Sequence, residues 1–384
     1  MKLDRAPRRT YRGTIRCNLR HARGRLAAPI ACAVAALLLS SGSVASGSAQ
    51  PATTSPTFAQ LVGQRMLVSM QGTTANSALL ARIRAGQIGG VILFGSNIVN
   101  ATQLTHLTAQ LQAAARAGGR PPLLIATDQE GGLVRRLTWA PPSASAEQLG
   151  TTSTTNVRNV GHNAGLALSA AGVNLDLAPV ADIPRTPANF ILAQHRAFAT
   201  NRYTVANDAT AFALGLESGH VLPTFKHFPG LGRAGATSTD DGLVKITAST
   251  SRIGYDLLPY RVALDRSVHP VIMLSTAVYP AYSSRAAAWS HAIAVTLLRT
   301  NLGFHGVTVT DSLNSAAAVR GTTPSVLAVR SATVGVDLLL VTGSQSTSQA
   351  AFNAVLAQAR SGAISIAGLK ASYSRILTLK KRLA

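Results

Sequence analysis

A repeat of short apolar runs is the feature that most limits what this chain can fold into. Eight segments of strand-like composition, 66–69, 91–94, 123–127, 173–178, 222–226, 270–275, 306–310 and 337–341, start 25 to 50 residues apart and are bounded by Gly, Pro or polar residues. Each interval can hold the crossover helix that a parallel strand pair requires. Helix-like stretches fall between them at 101–117, 157–171, 204–219, 253–264 and 325–334, with two more, 348–360 and 366–383, after the last run. One βα unit carried eight times predicts an α/β chain closed into a (β/α)8 TIM barrel, a single domain over residues 58–384. A doubly wound open sheet would be equally apolar, and periodicity does not separate the two.

Composition matters here for what it excludes. With 47% hydrophobic and 13% charged residues the chain buries a large core and is no disordered polyelectrolyte. Against 14 acidic residues stand 36 basic ones, a formal charge of +22, which raises nucleic acid as a partner. The charge is unevenly spread: residues 1–25 hold nine Lys or Arg and one acid, so the rest of the chain carries +14. No nucleic-acid module accompanies it, and nucleic acid is not expected as a partner. A cation outside the cell would instead meet an anionic envelope.

The basic start is followed by an apolar run over 26–39 and small residues to Ala49, the pattern of a secretory signal over 1–49. Residues 50–57 then read as a Pro/Ser/Thr-rich linker. Pro29 interrupts the apolar run, which falls short of the roughly 20 residues a membrane span needs. The expectation is an exported or envelope-associated protein without a stable span in its mature form. Arg8-Arg9 also permits a twin-arginine route. Both cysteines, Cys17 and Cys32, fall in the removable segment, so the mature chain would have no disulfide and no cysteine metal site. Most of the apolar run follows Cys32, which argues against a lipid anchor there.

Only 13 acidic residues lie beyond position 25, and many sit where strands end. Asp128 and Glu130 follow the third run, Asp176 and Asp182 lie in and after the fourth, Lys226-His227 closes the fifth with Asp240-Asp241 in the loop beyond, and Asp311 ends the seventh. In a barrel, loops at the carboxyl ends of the strands carry the chemistry. A single strand-end acid is as readily the cap of the next helix; the whole set is not explained that way.

Four segments, in order, resemble glycoside hydrolase family 3, and specifically its single-domain β-N-acetylglucosaminidase branch. They are Ala-Thr-Asp-Gln-Glu-Gly-Gly at 126–132 with Val134 to Arg136, Asn-Leu-Asp-Leu-Ala-Pro-Val-Ala-Asp at 174–182, Lys-His-Phe-Pro-Gly at 226–230, and Gly-Phe-His-Gly-Val-Thr-Val-Thr-Asp at 303–311. The resemblance spans about residues 58–345, and it implies a retaining glycosidase without metal or organic cofactor. Such enzymes pair a carboxylate nucleophile with a group that protonates the leaving oxygen and then deprotonates water. Carried over residue by residue, Asp311 is the nucleophile, Asp128 binds sugar hydroxyls, and Arg136, Arg196, Lys226 and His227 complete a polar pocket. Cationic donors suit hydroxyl acceptors, because such hydrogen bonds are charge-assisted.

The chain departs from the family where the acid/base is concerned. The loop after Lys-His-Phe-Pro-Gly, which in that branch holds an Asp-Ser-His triplet, reads Gly-Arg-Ala-Gly-Ala-Thr-Ser-Thr-Asp-Asp-Gly over 232–242 and has no histidine. Leu231 and Thr276 stand where relatives often have further histidines. The expectation is that Asp240, or else Asp241, takes over, since a carboxyl group of raised pKa does the same work. Removal of terminal β-linked N-acetylglucosamine from cell-wall glycan fragments is the activity the resemblance implies. The alternatives are a glycan-binding barrel that has lost catalysis, or a β-glucosidase or other β-hexosidase of the same family. Oligomeric state is not readable from the sequence.

Overall fold

The computed structural model describes residues 55–383; the expected signal, its two cysteines and the first part of the linker lie outside these residues. All eight apolar runs form strands: β1 (Met66–Ser69), β2 (Gly90–Ile92), β3 (Leu124–Thr127), β4 (Leu175–Asp176), β5 (Leu222–Phe228), β6 (Val271–Leu274), β7 (Thr308–Thr310) and β8 (Leu339–Val341). They pair in parallel in the order β8-β1-β2-β3-β4-β5-β6-β7. A parallel bridge between Val309 and Leu338 joins β7 back to β8, with Leu338 N donating to Thr308 O at 2.8 Å. The sheet is therefore a closed barrel, and the open-sheet alternative is excluded.

Alternation along each strand sorts its side chains into two cores. Leu67, Ile92, Leu124, Leu175, Leu222, Met273, Val309 and Leu340 fill the interior. Met66, Val68, Val91, Ile125 and Ile272 face outward against the helices. Ile92, Leu177, Met273 and Leu340 come from or directly follow alternate strands β2, β4, β6 and β8, which is how layers form in such a barrel.

The crossover helices follow their local signals. Over Ala101–Ala117 the Asn100 side chain caps the first turn by accepting from Gln103 N, and Leu104, Leu107, Leu111, Ala114 and Ala115 form the buried stripe. The stretch expected as one helix at 253–264 is two, Thr250–Asp256 and Leu258–Asp265. Pro259 opens the second, because its missing N–H is harmless only in a first turn. The β6–β7 crossover holds Ala292–Asn301, wound as a π-helix, a winding that departs from the 3.6-residue repeat by which helices are recognised. Thr154–Ala170 and Arg202–Ser218 pack backbone to backbone: a Cβ at Gly215 would lie 2.3 Å from Arg158 O.

The amino-terminal end of the barrel is stoppered. Helix Ile366–Lys380 lays Ile376 and Leu379 against the interior core, and buried Lys380 Nζ donates to Gln64 Oε1 at 2.7 Å and Gly89 O at 2.8 Å. Beside it Asp337, fully buried, accepts from Arg299 Nη2 at 2.8 Å, Arg375 Nη2 at 2.7 Å and Thr308 N at 2.9 Å. This carboxylate ties β7, β8, the π-helix and the last helix together where the barrel closes. Asp337→Ala strands two guanidinium groups and is expected to cost about 3–5 kcal/mol, the usual loss when one partner of a buried pair is removed; urea denaturation measures it.

Candidate active site

At the opposite, carboxyl-terminal end of the strands a cleft of about 330 Å³ opens, its lining including Asp128, Glu130, Arg136, Arg196, Lys226, His227, Asp240 and Asp311. Its floor is the alternate-strand layer of Ile92, Leu177, Met273 and Leu340. A second cavity, about 360 Å³, lies at the stoppered end against Pro270, Phe304 and Leu379, and no acidic residue lines it. Size does not separate the two; the strand-end acids do.

The inner wall is a relay of charges. Glu130, 6% exposed, receives Arg196 through Nε at 2.7 Å and Nη2 at 2.8 Å, and Lys226 Nζ at 2.6 Å. Burial pushes the Glu130 carboxyl upward, but Arg196 and Lys226 outweigh it and hold the group well below the usual carboxylate range. Lys226 also reaches Asp128 Oδ1 at 2.8 Å. Burial would lower the Lys226 ammonium, yet Asp128 and Glu130 raise it above its ordinary value. Arg136 stands 3.8 Å from Asp128 Oδ2 and lies over the Phe94 ring. Glu130 carries no role in the matched motif as read from sequence, and only the fold shows that it fixes Arg196 and Lys226; its place two residues after Asp128 was the available signal.

His227 is set by a different carboxylate. Its Nδ1 meets Asp182 Oδ2 at 2.8 Å, and Asp182 Oδ1 accepts Leu231 N at 2.6 Å and His227 N at 3.2 Å. This leaves Nε2 as the free polar atom of the ring. Lys226 and His227 are adjacent, yet both line the cleft; the β5–β6 ladder slips between Phe225 and Phe228, and such an irregularity breaks the strict alternation of faces.

Asp311 follows β7, its N–H donating to Leu274 O at 2.8 Å. Its Oδ1 accepts from Ser312 N at 2.7 Å, and Thr239 Oγ1 stands 3.5 Å from Oδ2. The β5 loop brings Asp240 to the same cleft. Its turn docks on the short helix Ala316–Val319, with Ala316 N donating to Asp240 O at 3.2 Å and Ala317 N to Thr239 O at 3.1 Å. The residue is exposed as a whole, but desolvation in the cleft first, and the neighbouring Asp311 charge second, raise its carboxyl above the ordinary value of 3.8. Asp241 is not part of the lining: its Oδ2 accepts from Ser238 Oγ at 2.6 Å within the turn. Of the two loop acids the structure thus brings one to the site. Leu231 and Thr276 are buried away from the lining.

Of the four carboxyl groups lining one sugar-sized cleft, Asp128 and Glu130 are held by cations and, among the described residues, Asp240 and Asp311 are not; such a pair beside polar groups suited to hydroxyls marks the class, a glycosidase built on a (β/α)8 barrel. Residues 57–379 match the Glycosyl hydrolase family 3 N terminal domain, and the chain belongs to that family. It is 36% identical over 329 residues to an uncharacterized secreted glycosyl hydrolase of Arthroderma benhamiae, covering 84% of this chain and 93% of that one. To the beta-hexosaminidase LpqI of Mycobacterium tuberculosis it is 32% identical over 304 residues, 76% of each chain. Among solved structures, the beta-N-acetylhexosaminidase of Beutenbergia cavernae superposes with a TM-score of 0.78 at 33% identity, over 85% of this chain and 99% of that one. The family 3 beta-N-acetylglucosaminidase of a Paenibacillus strain gives 0.80 at 32% identity, over 86% of this chain and 63% of the other.

Asp176 lies beneath this site, fully buried. Gln129 N donates to its Oδ1 at 2.9 Å, while Oδ2 has no hydrogen-bond partner in the protein. Burial pushes its carboxyl up to about 8, despite the Gln129 hydrogen bond and Lys226, so at neutral pH it is largely a neutral acid. The unfolded chain releases this proton near the ordinary 3.8 while the folded chain keeps it to about 8. The Asp176 contribution to stability is therefore complete below about pH 4, declines as pH rises to about 8, and is level above. Asp176→Asn should flatten that slope and be relatively more stable than the parent at pH 8 than at pH 4, as read by thermal melts across that range.

Proposed function

We propose that the protein is an exo-acting, retaining β-N-acetylhexosaminidase that removes terminal β-linked N-acetylglucosamine from cell-wall-derived glycans. The observation that carries this reading is the shared cleft of Asp311 and Asp240 over the Asp128–Lys226–Glu130–Arg196 wall. At about 330 Å³ it lies at the small end of ligand sites, which run from about 300 to 1,000 Å³. The names of the relatives support the N-acetyl preference. Export through the amino-terminal segment is part of the proposal, supported by its basic and apolar pattern and by a relative named as secreted.

In this mechanism an Asp311 carboxylate oxygen attacks the anomeric carbon as its bond to the leaving oxygen breaks, and the Asp240 carboxyl gives that oxygen its proton. The Asp240 carboxylate then takes a proton from water, whose oxygen attacks the anomeric carbon and releases Asp311. Asp128 accepts from ring hydroxyls, and Arg136, Arg196, Lys226 and the Nε2 side of His227 address the remaining polar atoms. Fixed by Glu130 and Asp182, Arg196, Lys226 and His227 need little reorganisation when charge develops.

Asp311→Asn is expected to abolish cleavage of aryl β-N-acetylglucosaminides, and a 2-fluoro sugar should leave its mass on the peptide containing residue 311. Undiminished activity in that variant would overturn the nucleophile assignment, and failure of the parent protein on a panel of aryl β-glycosides would favour the glycan-binding alternative.

Asp240→Asn should lower kcat/KM on poor leaving groups by about 10²- to 10⁴-fold and much less on activated aryl glycosides. Its carboxyl acts protonated, so activity falls as pH rises through its raised pKa; that limb of the pH profile should vanish in the variant. Asp241→Asn should leave both readouts near the parent values.

A further inference from the structure

Gln194 lines the catalytic cleft although it lies outside the four segments that carry the family resemblance. It stands two residues before Arg196, between β4 and the crossover helix Arg202–Ser218. Arg196 Nη1 donates to Gln194 Oε1 at 3.2 Å, while Nε and Nη2 of the same guanidinium are taken up by Glu130. A guanidinium only donates, so it fixes which way the amide lies: the carbonyl oxygen faces Arg196 and the NH2 group is turned from it. Among the described residues that NH2 group has no hydrogen-bond partner, and it is not sealed from solvent.

The segment that carries Gln194 is fixed at both ends. Buried Asn189 caps helix Phe190–Ala193, and its Nδ2 donates to Leu231 O and Ala234 O, each at 2.9 Å, tying the helix to the β5 loop. At the other end His195 N donates to Leu192 O at 2.9 Å and Arg196 N to Ile191 O at 3.0 Å, the paired bonds of a Schellman motif. That motif needs a left-handed residue, and His195 supplies it with φ +57°, a conformation uncommon outside glycine. Glu147 clasps it there: its carboxylate meets His195 Nδ1, and its N–H donates to His195 O at 3.4 Å. The His195 ring thus turns to Glu147, while Gln194 and Arg196 on either side of it both line the cleft.

We propose that Gln194 is a specificity-determining residue whose amide NH2 donates to a hydroxyl oxygen of the terminal sugar. The inference rests on the proposed glycosidase reading and adds a sugar contact to the same site. Arg196 has spent three of its five N–H groups on Glu130 and Gln194, and the amide carries the donor surface of that wall one side chain further. Turning the amide over would set donor against donor, so the group reads its sugar oxygen as an acceptor. A sugar that lacks this oxygen leaves the amide without its partner.

The test crosses one residue with one hydroxyl. An aryl β-N-acetylglucosaminide and its 3-, 4- and 6-deoxy analogues are given to the parent protein and to Gln194→Met, which keeps the length of the side chain and removes its hydrogen bonds; Gln194→Ala is the second variant. On the complete sugar both variants are expected to lose about 3- to 10-fold in kcat/KM, the range of one neutral hydrogen bond. The loss should come chiefly through KM, because a hydroxyl away from the reacting bond is held alike in ground and transition states. On one deoxy analogue parent and variants should be nearly equal, and on the others the loss should persist. Equal losses on every substrate would overturn the proposal and make Gln194 a support for Arg196 alone; no loss on any would overturn it as well. An aryl β-glucoside, in which a hydroxyl replaces the acetamido group, completes the panel: disappearance of the loss there alone would also overturn it, assigning the amide to the acetyl oxygen. If the parent cleaves none of these glycosides, the glycosidase reading fails by itself. Calorimetric binding of N-acetylglucosamine and its deoxy forms to the parent and to Gln194→Met then decides Gln194: equal binding sinks the proposal, and weaker binding by the variant that vanishes on one deoxy sugar supports it.

Discussion

Glu130 is a buried carboxylate that stays ionised because Arg196 and Lys226 meet it from two sides. The site depends on this exchange of burial for charge. Take away both cations and the carboxylate is left in a poorly solvating interior that favours its protonated form. Take away Glu130 and two long side chains lose the partner that fixes their rotamers. Because Lys226 also holds Asp128, the loop after β3, the end of β5 and the segment that follows β4 are positioned as one unit. Asp182 does the same for His227 and the start of the β5 loop. The rigidity of the cleft is thus electrostatic on its wall and apolar on its floor.

The barrel was legible in the sequence because its evidence is redundant. Eight apolar runs with crossover-length intervals survive small errors in any one boundary, and β4, a strand of only two residues, was found within a longer apolar run. Where a single local signal had to decide, less was visible. The π-wound Ala292–Asn301 lies off the usual helical period. Pro259 was in plain view, but whether it ends one helix or starts another depends on what packs around it.

Of the candidate residues, all but Asp241 meet in the cleft. Asp240 and Asp241 are chemically identical neighbours, and a sequence has no means of saying which one a turn directs inward; Ser238 decides it by binding Asp241. Glu130 was equally opaque, since its work is done on other side chains.

The helix Ile366–Lys380 plugs the far end of the barrel, and the four-residue layer beneath the cleft seals it again from within. The reaction chamber is consequently a blind well. On the proposed exo-acting reading, the terminal sugar lies at the bottom of this well and the rest of the glycan at its mouth, so shape and the bond to Asp311 impose the same order of release, and the freed sugar, as a product, competes directly with the next chain end.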